Sequence, residues 1–331
     1  MAQQTRREWL ARVAPRAELV NVPEFEVEAE RVLPADLFRL VSGGERAAFE
    51  RITFRPRMMV NCVELNLSLD LAGMPLFAPI VVGPVADQRR FHPDGELATV
   101  RGAAAAKAAV VVSSRSSHSL QAMAAQATTP LVFQVFGEDG ATKIRSQAQD
   151  AERAGCRAIL LTVGTPMAGA RRSARVDWAA VDALRGGVSV PVLVKGVMTA
   201  LDATTAVSHG AQGLVVSNYG RAGAPGQPAP LDAVAPIVDA VGPQMPVLLD
   251  GGIRRGSDVM KALASGARAV LVARPVMWGL AAYGADGVQA VVELLQTELG
   301  RVMGCCGTPN LAAITRRVMT IHAPQPTRER V

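Results

Sequence analysis

Eight short, almost unbroken apolar runs recur along the chain: PIVVGP at 79–84, AVVVSS at 109–114, PLVFQVF at 130–136, AILLTVGTP at 158–166, PVLVKG at 191–196, GLVVSN at 213–218, PVLLDGG at 246–252 and AVLVARP at 269–275. Each has the length of a strand and the composition of one buried on both faces. The stretches between them, such as GELATVRGAAAAKA and GSDVMKALASGA, are Ala-rich with helical spacing. Strand and helix alternating eight times predict an α/β chain closed as a (β/α)8 barrel. An open doubly wound sheet is the alternative, and the strand count together with the size of the 70–300 region favours the barrel. Residues 1–70 read as a cap segment across the barrel, with a helical stretch ending at Ser42-Gly43-Gly44 and a partly alternating run over 52–71. The barrel itself is expected over 71–315, followed by a polar tail over 316–331, frayed from His322 onward.

Composition narrows the class. With 49% apolar and 19% charged residues in 331, the chain suits a globular protein with a sizeable core. No run approaches the ~20 residues of a membrane-spanning helix. The segment Thr5-Arg6-Arg7-Glu8-Trp9-Leu10 resembles a twin-arginine export signal, but charged residues follow where an apolar stretch is needed. A surface helix with Trp9 and Leu10 packed inward is the better expectation. Cys62, Cys156, Cys305 and Cys306 have neither metal-ligand spacing nor a disulfide framework, which points to a reducing cytoplasm and to no metal. Gly304 and Gly307 around the adjacent pair mark a helix C-terminus. The formal charge of +6 comes from scattered arginines without a basic block, which argues against nucleic acid and leaves room for an anionic small molecule.

Polar residues gather where the strands end: Ser113, Ser114, Gln134, Thr162, Lys195, Ser217, Asn218, Asp250 and Arg274. In a barrel of this kind those ends form the catalytic face. DGGIRRG at 250–256 and ARP at 273–275 follow the last two strands, the usual place for a phosphate. Gly251, Gly252 and Gly256 let backbone amides approach an anion, and Arg254 and Arg274 add charge-assisted bonds. Lys195 can form a Schiff base, stabilise negative charge on a bound ring or merely snorkel to the rim. The pattern alone leaves these open.

The segments PVLVKGVMTALDA, VVSN and LLDGGIRRGSDVMKALASGARAVLVARPVMWGLAAYGADGV resemble the FMN-dependent L-2-hydroxy-acid oxidases and dehydrogenases, the family of glycolate oxidase, lactate oxidase and the flavin domain of flavocytochrome b2. The resemblance covers roughly residues 33 to 311. It implies FMN across the barrel mouth, with the phosphate on Gly252, Arg254 and Arg274, the ribityl chain near Asp250, and the ring near Ser113, Gln134 and Thr162. Val85, Ala86, Ser217, Gly251 and Ala273 complete the implied cofactor contacts. Lys195 is implied at the N1 and O2 edge, which favours its electrostatic role, and His92 in HPDGE is implied to be structural. The resemblance also implies a homo-oligomer, often a tetramer.

On the substrate side the chain departs from the family. At the end of strand six the family reads Ser-Asn-His-Gly-Gly-Arg-Gln-Leu-Asp, with a catalytic histidine and a carboxylate-binding arginine, and this chain reads SNYGRAGAPGQPAPLD. Tyr219 takes the position of the base, Ala222 that of the arginine, and Arg221 stands one residue early. The carboxylate that supports the family's histidine is replaced by Gly164, the tyrosine after strand three by Phe136, and an aromatic pocket residue after strand two by Arg115. DLFRLVSGG lacks the family's N-terminal tyrosine, and the loop after strand four is short. Arg171 keeps the second carboxylate-binding arginine. The catalytic set is therefore expected to be Tyr219, Lys195, Arg171 and Arg221. A phenol near pKa ~10 costs roughly 4 kcal/mol to ionise at pH 7, so it is a poor base and a better proton donor. The leading expectation is an FMN-dependent oxidoreductase acting on a non-standard or bulkier small molecule. Ordinary hydroxy-acid oxidation through Tyr219, an FMN protein without catalysis, and a flavin-free barrel for a sugar phosphate are the alternatives.

Overall fold

A computed structural model describes residues 13–164, 178–219 and 228–323. Before the barrel come the helices Val22–Val32, Ala35–Val41 and Ala47–Glu50 and three short strands, β1 (Ile52–Phe54), β2 (Leu69–Leu71) and β3 (Met74–Leu76). Then follow β4 (Ile80–Val82), β5 (Val110–Ser113), β6 (Leu131–Phe136), β7 (Ala158–Thr162), β8 (Val192–Val197), β9 (Gly213–Val216), β10 (Val247–Asp250) and β11 (Ala269–Val272). These eight strands pair in chain order, and β11 returns to β4, so the predicted barrel closes.

Side chains alternate along each strand between the helices and the lumen. In β5 to β8 the lumen positions begin apolar, with Val111, Val132, Leu160 and Leu193 in one buried cluster. Two residues further on, the same faces carry Ser113, Gln134, Thr162 and Lys195, all buried. Pairing of Ser113 with Gln134 and of Thr162 with Lys195 sets these residues side by side as a polar layer above the apolar one.

The cap does two separate jobs. Strands β2 and β3 form a hairpin whose turn, Ala72-Gly73, has φ of 51° and 81°, the combination a two-residue hairpin turn needs. Leu71, Met74 and Leu76 from this hairpin pack into the lower apolar cluster and stop that end of the barrel, leaving about 20 Å³ of space inside. The helix Val22–Val32 instead lies against the long C-terminal helix Arg274–Cys305, where the Phe25 ring meets Tyr283 edge-on at 5.8 Å.

The region expected as a tail from 316 begins as an ordered part of the fold. Residues Met319–Ile321 form β12, antiparallel to β1, and the His322 amide donates to the Arg51 carbonyl at 2.8 Å. Residues 324–331 lie outside the described residues, as do Trp9 and Leu10. The long helix ends at Cys305, and Gly307 follows with φ of 62°, as the flanking glycines predict. All four cysteines are free thiols. Among the described residues no helix is long and apolar enough to cross a membrane, and no His/Cys/Asp/Glu cluster suits a metal.

Candidate active site

At the centre of the polar layer Lys195 Nζ sits 2.9 Å from Asp250 Oδ2, and the Ser217 hydroxyl donates to the same oxygen at 2.9 Å. The Lys195 side chain is only 5% exposed, so the carboxylate is what keeps an ammonium inside the barrel. Beside it Gln134 donates to the Thr162 hydroxyl at 2.6 Å, and the Ser113 hydroxyl accepts from the Arg115 amide. The arrangement presents one fixed cation and several donors at the barrel mouth, which suits a ring that gains negative charge.

Tyr219 follows β9 and leans over this layer. Its amide donates to the Ser217 hydroxyl at 3.2 Å, and Lys195 Nζ lies 4.9 Å from its ring centroid. The Phe136 ring is 6.3 Å away, and the Arg115 guanidinium stacks 3.7 Å above that ring. Arg115 is in turn paired with Glu138 at 2.9 Å and Asp139 at 3.4 Å. Burial pushes the Tyr219 phenol above its ordinary range; Arg115 pulls it down and Glu138 pushes it up. The net direction is upward, so the phenol stays protonated. Lys195 faces the ring and pairs with Asp250.

Gly164 comes close to this tyrosine. A Cβ there would meet the Tyr219 carbonyl oxygen at 3.4 Å, and its φ of 127° is one that L side chains rarely adopt. The two departures singled out from the sequence are thus neighbours in space. Arg171 and Arg221 lie outside the described residues.

The loops after β10 and β11, where the sequence places a phosphate, come together at the rim. Gly251 and Gly252 have φ of 107° and 77°, and Gly252 lies so close under the Phe49 ring that a Cβ would come within 2.4 Å of Cε2. Arg254 is 6% exposed and stacks on Trp278 at 4.7 Å. Arg254 and Arg274 both donate to the Gly43 carbonyl, and neither forms an ion pair with a carboxylate among the described residues. Burial first, then the nearby Arg274, lowers the Arg254 pKa to about 10. Two guanidinium groups satisfied only by backbone carbonyls fit a site made for a phosphate dianion. Ala273 precedes the long helix, whose N-terminus opens onto the same space. Val85 and Ala86 lie in the loop after β4, where the Val85 carbonyl accepts from Gln88.

Sequence reasoning missed Glu96. This carboxylate is 1% exposed and accepts from the Gln88 amide, the Ser117 amide and the Ser117 hydroxyl at 2.8–3.0 Å. It ties the Val85-Ala86 loop to the loop carrying Arg115, and the Asp87 amide adds a bond to the Arg115 carbonyl at 3.1 Å. The available signal was an acid on the same helical face as Thr99 and Ala103, all three buried. His92, read as structural, lies under the kink of the long helix at Gly284, where a Cβ would sit 3.0 Å from its Nε2.

Comparison with known proteins agrees with this geometry. The FMN-dependent dehydrogenase family matches residues 41–176 and 172–321. A peroxisomal (S)-2-hydroxyacid oxidase of Arabidopsis thaliana is 34% identical over 90% of this chain and 96% of its own length. Glycolate oxidase 1 of Zea mays is 35% identical over 91% and 95%. A crystal structure of mandelate oxidase with (S)-2-phenylpropionate superposes with a TM-score of 0.86 at 36% identity, covering 92% of this chain and 99% of that one. The chain therefore belongs to the FMN-dependent dehydrogenase family and is an FMN-dependent oxidoreductase.

Proposed function

We propose that this oxidoreductase has left ordinary 2-hydroxy-acid oxidation and acts on a bulkier or less acidic small molecule, with Tyr219 contributing a neutral phenol beside the reacting atoms. The observation that carries this reading is the environment of Tyr219, whose phenol is held protonated by burial and whose neighbour Gly164 offers no side chain. A protonated phenol donates a hydrogen bond or a proton, whereas the oxidation of a hydroxy acid needs a group that takes one.

FMN, when bound, supplies the redox chemistry. Arg254, Arg274 and the Gly251-Gly252 backbone are the groups that would hold its phosphate, and Ser113, Gln134, Thr162, Lys195 and Asp250 those that would meet the rest of it. Lys195 keeps positive charge at the mouth, and Asp250 keeps Lys195 there. Phe136 and the stacked Arg115 form a wall beside Tyr219 that orients a substrate. Arg171 and Arg221 are the candidates for binding an acidic group on it. Exposed Met58, Met59 and Val63 support assembly as a homo-oligomer, and four free thiols support a cytoplasmic location.

The second reading is 2-hydroxy-acid oxidation with Tyr219 as base. The names of the relatives favour it, since they are oxidases of (S)-2-hydroxy acids, glycolate and mandelate. Anaerobic mixing of the yellow holoprotein with glycolate, lactate and mandelate separates the two. The proposed reading expects the flavin absorbance to persist with all three and to be bleached by a larger amine, which can lose its hydride without a base on the protein, or by a reduced nicotinamide. Bleaching by a small 2-hydroxy acid within seconds at pH 7 overturns it.

A further inference from the structure

The cap and the phosphate loops meet at a turn 211 residues away in sequence from Arg254. The Gly43 carbonyl receives bonds from both guanidinium groups, from Arg254 and from Arg274 at 3.0 Å, while the Gly43 amide is anchored by Glu26 Oε1 at 2.7 Å. Gly44 fills the gap behind the carbonyl. A Cβ there would stand 2.7 Å from Arg254 Nη2 and 2.9 Å from Arg274 Nη1, so only glycine leaves both side chains in place.

Two residues on, Arg46 reaches across to the opposite wall. Its guanidinium donates to the Gly252 carbonyl at 2.7 Å and forks onto Asp258 at 2.8 and 3.2 Å. Asp258 Oδ2 also accepts the Arg254 and Arg255 amides at 2.9 Å, which fixes the glycine-rich loop. A cavity of about 390 Å³ remains between the two walls, lined by Gly44, Glu45, Phe49, Gly251, Gly252 and Arg274.

We propose that the cap turn is a wall of the FMN phosphate site, in which Gly44 and Arg46 are positioning residues and the Gly43 carbonyl holds the place of a phosphate oxygen. One neutral carbonyl shared by two cations is a weak partner for both. A phosphate monoester brings two negative charges and three acceptor oxygens, and it takes the guanidinium groups from the carbonyl. The chain then discriminates FMN from riboflavin mainly through this corner, by about a hundredfold or more in affinity, as two charge-assisted bonds would give. Arg46 acts indirectly, holding the Gly252 carbonyl and Asp258, and through Asp258 the backbone from which the Arg254 guanidinium reaches the anion.

The test uses the full chain freed of flavin and titrated with FMN and, separately, with riboflavin, read by flavin fluorescence. Gly44→Ala should weaken FMN binding by about tenfold or more and leave riboflavin binding within about twofold. Arg46→Met should do the same, and Arg46→Lys should recover part of the loss. Gly73→Ala, at φ of 81° in the hairpin at the other end of the barrel with open space around its Cβ, carries a comparable backbone strain and should leave FMN affinity unchanged. Inorganic phosphate should raise the melting temperature of the flavin-free wild type and not that of Arg46→Met. Equal weakening of FMN and riboflavin, or unchanged FMN affinity in Gly44→Ala and Arg46→Met, would overturn the proposal. Since only binding and melting are read, the outcome is independent of which substrate the enzyme turns over.

Discussion

Replacing Tyr219 with histidine puts the central argument at risk. At its ordinary value near ~10 a phenol is at most about one part in a thousand ionised at pH 7, a cost of at least roughly 4 kcal/mol. Burial moves the Tyr219 phenol further in the same direction. An imidazole near ~6.5 is about three-quarters unprotonated at pH 7, so base availability rises by nearly three orders of magnitude. Part of that gain is lost because the phenolate is the stronger base and because Gly164 supplies no carboxylate to orient the imidazole. Tyr219→His should therefore accelerate anaerobic bleaching of the flavin by (S)-mandelate by about ten- to a thousandfold at pH 7. The assay is stopped-flow absorbance, read across a range of mandelate concentrations so that binding and chemistry are separated. Sign and window follow from the same pKa values. Any residual wild-type rate should climb about tenfold per pH unit between pH 7 and 9, and the variant's rate should level off above about pH 7. Adding Gly164→Asp completes the pair chemically but places a side chain at φ of 127°, so the double variant should be less stable by about 1–3 kcal/mol. Wild-type bleaching that is fast and flat from pH 6 to 9 would show that an effective base is already present and would refute the reasoning.

Three further substitutions test the scaffold of the site. Lys195→Met leaves Asp250 with only the Ser217 hydroxyl; breaking so buried a pair should lower unfolding stability by about 3 kcal/mol in a urea titration, and the flavin should lose affinity for sulfite. An unchanged unfolding midpoint would mean that the pair contributes nothing to stability. Gly252→Ala drives a Cβ into the Phe49 ring at a positive φ, so the protein should melt earlier and be purified with less FMN. Glu96→Ala strands the Gln88 and Ser117 amides in a buried pocket, at a cost of about 2–4 kcal/mol, and faster hydrogen exchange confined to those two loops is the expected signature.

The barrel strands were legible because a strand buried on both faces writes an unbroken apolar run. The hairpin Leu69–Leu76 was not, since each of its strands is three residues long and Asp70 and Pro75 interrupt the pattern. The strand Met319–Ile321 was hidden too, because it is equally short and its partner, Ile52–Phe54, lies near the other end of the chain. At the site, the polar strand ends were readable because closure of the barrel brings all eight to one face. The departures at Gly164, Phe136, Arg115 and Tyr219 could be read only against the family pattern, yet their clustering needed coordinates. So did the stacking of Arg115 on Phe136, the role of Glu96, and the approach of Gly43 to Arg254. Each joins side chains or backbone from separate loops, and no local periodicity records such a meeting.

The hairpin that stops the lower end of the barrel has a consequence for the order of events in turnover. With Leu71, Met74 and Leu76 filling that end, and with about 20 Å³ left among the apolar side chains, no passage runs along the barrel axis. Among the described residues the polar layer is therefore reached from the opposite rim, beside Tyr219 and Arg115. If the reductant leaves before the oxidant arrives there, steady-state data with two varied reactants should give the parallel double-reciprocal lines of a ping-pong enzyme, and intersecting lines would mean that both are held at once.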